Sequence, residues 1–178
     1  AEGLTFHIFI NHTHWDHIQG LPFFVPAYHP QNKFIFYSPF PDIEERIAGQ
    51  QTGSYFPVAF KDMQCKKEFV HLEENSSYNI DSVKITNMEM YHPGRSFGYR
   101  ISCNGRSVVY ATDSEYKDLS SQGVGRYIEF FKETDLLIFD AQYSLGETIH
   151  KEDWGHSSSI IGIDIAVEAG VKQLALFH

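Results

Sequence analysis

The stretch Asn11-His12-Thr13-His14-Trp15-Asp16-His17 sets three imidazoles and a carboxylate directly behind the apolar run Phe6-His7-Ile8-Phe9-Ile10. Imidazole suits zinc, copper, iron and nickel, whereas carboxylate suits harder cations, so a mixed His/Asp set is borderline metal chemistry. In an extended segment His12 and His14, two apart, point to the same face. Asp16 and His17 are adjacent and are expected to diverge from that pair. The spacing therefore predicts two metals, one facing each half of the motif. A polar surface loop rich in histidine is the bland alternative, and the apolar strand ahead of the motif argues against it.

The rest of the chain must supply a frame for such a cluster. At 178 residues it is expected to form a single domain, 1–178, with a real core. Hydrophobic content of 42% and aromatic content of 15% suit a globular protein, and no apolar stretch approaches a membrane span. The formal charge of −9 disfavours a nucleic-acid partner, because the electrostatic footprint for a phosphate backbone is missing. Cys65 and Cys103 form neither a disulfide framework nor a Cys-x-x-Cys metal motif. With no signal peptide visible, a cytoplasmic setting is the expectation.

Strand-like segments are expected at Thr5–Ile10, Phe34–Tyr37, Glu68–Leu72, Val83–Met90, Gly98–Cys103, Ser107–Ala111, Leu136–Phe139 and Gln173–Phe177. Asn104-Gly105 reads as a two-residue hairpin turn. Helices are expected at Asp42–Gln51, Gly125–Glu133 and Ser157–Ala169, the last closed by Gly170. Antiparallel strands early and helix-separated strands late predict an α/β layered protein.

Further ligand candidates fall at strand ends. His92 follows Val83–Met90 and precedes Pro93-Gly94, a turn that would fix the backbone. Asp113 follows a strand through Ala111, and His178 follows Leu174-Ala175-Leu176-Phe177. Layered α/β proteins place their sites just beyond the carboxyl ends of strands. Asp140 also ends a strand and competes with Asp113. Its expected part is to orient a ligand imidazole.

From Thr5 to His178 this order resembles the metallo-β-lactamase fold superfamily: His-x-His-x-Asp-His, then His92, Asp113 and His178. The resemblance implies an αββα four-layer sandwich with a dinuclear metal site. It implies that His12, His14 and His92 hold one ion, that Asp16, His17 and His178 hold the other, and that Asp113 bridges them. Zinc is the default ion, with manganese or iron as alternatives. Family members normally carry several strands ahead of the first cluster, so the chain is expected to lack N-terminal strands and to be part of a longer one.

Trp154-Gly155-His156-Ser157-Ser158-Ser159 resembles the phosphodiesterase branch, which includes ribonuclease Z and cyclic phosphodiesterases. By that resemblance His156 acts near the leaving group. An imidazole can protonate a departing alkoxide, and a helix N-terminus behind it favours phosphate. Asp16 and His156 are thus the candidate catalytic residues. The expected function is hydrolysis of a small or cyclic phosphodiester by a metal-bound hydroxide. The alternatives are a thioester or lactone hydrolase of the same superfamily, or a metal-binding sensory module without turnover. A small-molecule substrate is expected and no membrane partner. The oligomeric state is left open, and a dimer is compatible with the sequence.

Overall fold

The strand-forming segments assemble into two sheets, one in each of two units, Ala1–Glu73 and Glu74–His178. A computed structural model describes residues 3–178. In the first unit β1 (Thr5–Phe9), β2 (Lys33–Ser38) and β3 (Lys66–His71) lie in the order β1-β2-β3. Both pairings are parallel, which overturns the expectation of antiparallel strands early in the chain. The reason lies in the connections. Parallel neighbours need a crossover rather than a hairpin, and each link here is long and helical. Helix α1 (Trp15–Ile18) and two 3₁₀ turns separate β1 from β2, and α2 (Ile43–Gly49) separates β2 from β3. As the central parallel strand, β2 is buried continuously from Phe34 to Ser38. Phe36 stacks on Phe69 at 5.2 Å, and Phe60 packs edge-on against Phe36. Ile43 and Ile47 of α2, four apart, are both buried, as their spacing predicts.

The second unit holds β4 (Ser77–Ile80), β5 (Val83–Met90), β6 (Ser96–Cys103), β7 (Arg106–Ala111), β8 (Leu136–Asp140) and β9 (Leu174–Phe177), paired in that order. Strands β4 to β7 are antiparallel, while β8 and β9 continue parallel to β7. Asn104 and Gly105 turn the β6–β7 hairpin with φ of +50° and +73°, the left-handed pair that a type I′ turn demands. Helices α3 (Ser121–Phe131) and α5 (Ser159–Glu168) make the crossovers to β8 and β9. Their buried residues Val124, Tyr127, Phe131, Ile165 and Ala166 close over Val109, Leu137 and Phe139 to form the core.

Besides the four-residue α1 and the 3₁₀ turns, two elements escaped the sequence pattern. Strand β4, Ser-Tyr-Asn-Ile, is polar and largely exposed at the sheet edge, so it lacks the alternation that marks a half-buried strand. Helix α4 (Leu145–His150) buries no residue, and its periodicity is silent. Its start is nevertheless written in the sequence as a capping box, Ser144 and Glu147, each holding the other's backbone N–H.

The consequence for function is directional. Because β6 is antiparallel to both neighbours, β5 and β7 point the same way, and β8 and β9 follow β7. Their carboxyl ends share one sheet edge, which carries His92, Asp113, Asp140 and His178.

At the opposite edge Asp135 accepts hydrogen bonds from Lys172 Nζ at 2.9 Å, the backbone N–H of Ser107 at 2.7 Å and Arg106 Nη1 at 2.9 Å. These donors, Lys172 foremost, hold its carboxyl well below the ordinary carboxylate range. A depressed folded-state pKa contributes stability above the unfolded value of about 3.9, and that stability is lost as pH falls further. Asp135→Asn should therefore lower Tm at pH 7, and the gap from the parent should narrow between about pH 5 and pH 2 in melts monitored by circular dichroism. A gap independent of pH would contradict this assignment.

Candidate metal and catalytic centre

In the first unit the chain leaves β1 and passes through Asn11 to His12, which is buried. His12 Nε2 and His14 Nδ1 lie 3.0 Å apart, so the two imidazoles converge as the spacing predicts. His17 does not diverge from them. Helix α1 begins at Trp15, His17 donates its backbone N–H to His14 O at 3.1 Å, and the His17 ring centroid lies 4.3 Å from that of His12. The helical turn thus folds the second half of the motif back over the first. Asp16, next to it, is half-exposed, with Oδ2 3.2 Å from His17 Nε2.

In the second unit His92 is buried beyond β5, where Gly94 and Arg95 turn the chain with φ of +78° and +71°. His92 Nδ1 donates to Gly155 O at 2.8 Å, which fixes the tautomer and leaves Nε2 to ligate. Asp113, buried at the end of β7, adopts φ of +59°, a left-handed conformation that Asp tolerates better than most side chains. Its Oδ1 lies 3.3 Å from His178 Nε2.

Asp140 does not hold any of the predicted ligand imidazoles. Its fully buried carboxylate takes His156 Nδ1–H at 2.7 Å and the Asp113 N–H at 2.8 Å on Oδ2, and the Ser157 N–H at 3.1 Å on Oδ1. The His156 ring lies 4.6 Å from that of His178 and 5.0 Å from that of His92. Asp113, Asp140, His156 and His178 each bring a ligating atom within 4.8 Å of the others. Tyr143 is buried with its ring edge-on to His156 at 5.7 Å, and burial together with the nearby Asp140 pushes its phenol up.

The remaining candidates separate from the site. Arg95 is committed to Glu74 and Glu89 at 2.7 and 2.6 Å, so its charge is spent within the fold. His7 bonds Tyr37 Oη at 2.8 Å, and His71 and His150 are exposed. Trp154 is exposed as well.

Glu115 and Gly155 carry a duty the sequence reading did not give them. Glu115 accepts the N–H of Gly155 at 3.0 Å and that of Asp153 at 3.3 Å, so one carboxylate pins the loop ahead of His156. Gly155 has φ of +81°, and a Cβ there would lie 2.3 Å from His92 Nδ1 and from Pro93 Cδ. The place of Gly155, directly before His156, was the available signal. Glu115 is invisible until the loop folds onto it.

All the converging donors are imidazole nitrogens and carboxylate oxygens. This set fits zinc or a harder divalent ion.

The chain belongs to the β-lactamase superfamily: the family described as "Beta-lactamase superfamily domain" matches residues 6–178. It is similar to Ribonuclease Z of Oceanobacillus iheyensis, 22% identical over 221 residues, with 96% of this chain and 70% of that protein covered. It is also similar to the probable metallo-hydrolase YhfI of Bacillus subtilis, 33% identical over 94 residues, which are 53% of this chain and 35% of that protein. The crystal structure of YhfI, a metallo-β-lactamase fold protein, superposes with a TM-score of 0.74 at 24% identity. That match covers 97% of this chain and 63% of YhfI, so this chain spans less than two thirds of that protein. The short form of human tRNase Z superposes at 0.71 with 20% identity over 97% of this chain and 71% of that one. The fold is that of the metallo-β-lactamases, a class that implies divalent metal ions. Among the described residues, no helix is long and apolar enough to cross a membrane.

Gly155→Ala should weaken metal binding by roughly 10- to 100-fold, the usual cost of disturbing what orients a ligand. Zinc titration against a chromophoric chelator measures it. Affinity equal to the parent's would mean that Gly155 does not set His92.

Proposed function

We propose that the chain is a metal-dependent hydrolase with a dinuclear centre, and that it cleaves a small or cyclic phosphodiester. In this reading His12, His14 and His92 hold one ion, Asp16, His17 and His178 hold the other, and Asp113 bridges them. When bound, the two ions supply Lewis acidity and a nucleophile at neutral pH. The observation that carries the reaction class is the pairing of the partly buried His156 with the fully buried Asp140, set among the candidate ligands of the second unit.

A thioester releases a thiolate that needs no separate acid, but an alkoxide leaving a phosphodiester needs a proton. With Nδ1–H engaged by Asp140, the His156 proton free to move is the one on Nε2, and the ring is held in the orientation that aims it. Asp140 cannot swing away, because three backbone N–H groups also hold it. Asp16, half-exposed beside His17, is the second candidate catalytic group, a carboxylate able to accept a proton.

Relatives named Ribonuclease Z support a phosphodiester and make a ribonucleotide-containing one a natural class. They weaken the inference from net charge that a nucleic-acid partner is disfavoured. The 221 aligned positions exceed this chain's 178 residues, so at least 43 positions of that alignment have no counterpart in it. A ligand smaller than a folded RNA suits this shorter frame.

His156→Ala should leave metal content unchanged. It should lower kcat on adenosine 2′,3′-cyclic monophosphate, which has an alkoxide leaving group, by roughly 10²- to 10⁴-fold. The loss on bis(p-nitrophenyl) phosphate should be far smaller, because p-nitrophenolate departs without a proton. Equal losses on the two substrates would remove His156 as the acid, and an enzyme active only on thioesters or lactones would overturn the phosphodiester reading. Asp140→Asn should reproduce the same contrast between substrates, with kcat falling more than KM changes.

A further inference from the structure

The loop that carries the first histidine cluster also forms one wall of an aromatic pocket. Thr13 and Trp15, which alternate with His12, His14 and Asp16, line it together with Phe23, Tyr55, Phe56 and Arg46. Its volume is about 460 Å³, within the range of small-ligand sites and large enough for a fused ring system. Trp15, Phe23 and Tyr55 are 71%, 71% and 73% exposed, and Phe23 meets Phe56 edge-on at 5.3 Å. So much open aromatic surface in one concavity needs an occupant.

Charge narrows what that occupant is. Among the described residues, Arg46 is the single cation in the wall. Its Nε donates to Asp42 Oδ1 at 2.8 Å, and its guanidinium lies 4.1 Å over the Phe40 ring. The same pair holds the Asp42 carboxyl low. With that cation matched inside the fold, the pocket recognises an uncharged planar surface rather than a phosphate. A two-fold interface must be self-complementary, whereas this patch is a cavity, which suits a small ring better than a second copy. A stacked ring is held by any π-face and gains most from indole and phenyl walls.

We propose that this pocket takes the planar aromatic ring of the substrate, a nucleobase or aryl group carried on the phosphodiester, with Trp15 as the stacking wall. The inference rests on the phosphodiesterase reading for the identity of the ligand as substrate. Specificity would then be set beside the first histidine cluster by residues that take no part in ligating metal.

Trp15 reports its own occupancy. Trp15 and Trp154 are the two tryptophans of the chain, so a Trp154→Phe protein leaves Trp15 as sole reporter. Stripped of metal with EDTA, this protein is titrated with adenosine 5′-monophosphate, phenyl phosphate and the ringless ribose 5-phosphate. Saturable quenching by either ring-bearing probe and silence with ribose 5-phosphate is the expected result, and the stronger of the two identifies the ring class. Phe23→Ala and Tyr55→Ala, both at exposed positions, should each weaken that binding by roughly tenfold with little change in Tm.

Silence with both rings overturns the proposal, as does equal quenching by ribose 5-phosphate. Sedimentation showing a dimer that Trp15→Ala dissociates also overturns it, by assigning the pocket to a second copy. The two readings fail separately. Ring binding without hydrolysis by the metal-loaded protein removes the phosphodiesterase reading, and hydrolysis indifferent to the ring removes the pocket.

Discussion

A fully buried carboxylate costs several kcal/mol unless each of its oxygens is matched, and Asp140 meets that condition by drawing together three otherwise separate parts of the second unit. Its oxygens take N–H groups from Asp113 at the end of β7, from Gln142 just beyond β8, and from His156 and Ser157 ahead of α5. The sheet edge and the loop over it are therefore one electrostatic unit. Loss of the charge would release the backbone of a candidate bridging ligand and the ring of a candidate acid together. Glu115 repeats the device a few residues away, taking two backbone N–H groups so that Gly155 can offer its carbonyl to His92.

Much of this was legible in the sequence because it depends on local pattern. The first histidine cluster, the β5 segment and the Asn104-Gly105 hairpin each announce themselves within a few residues. His92, Asp113 and His178 could be read because each directly follows an apolar run. What remained hidden depended on contacts made over long separations. The partner of Asp140 is such a case: a carboxylate at a strand end has the same local signature whether it orients a metal ligand or an acid. The fold-back of His17 over His12 escaped for another reason. A four-residue helix such as α1 is too short to display a period, and the alternation seen in an extended segment was carried one step too far.

Strand direction in the first sheet was misread for a related reason. Apolar content marks a strand and says nothing of its sense. The links are long enough for the crossovers that parallel pairing requires, and the helices within them supply those crossovers. The second sheet shows both regimes in one layer, hairpins through β7 and crossovers afterwards. The candidate residues of this unit lie along the one edge where β5, β7, β8 and β9 all end.

The parallel sheet of the first unit has a consequence for how the chain acquires its shape. Hairpins such as β6–β7 close over a two-residue turn, so their ends find each other at small entropic cost. Strands β1, β2 and β3 meet only after long intervening segments have been drawn in, and pairings of that kind form slowly. The first histidine cluster hangs from β1, the strand that depends on such closures alone. The imidazoles most concentrated along the chain therefore take their support from long-range closures rather than from a local hairpin. A metal held by that cluster would depend on those closures as well as on the affinity of its donors.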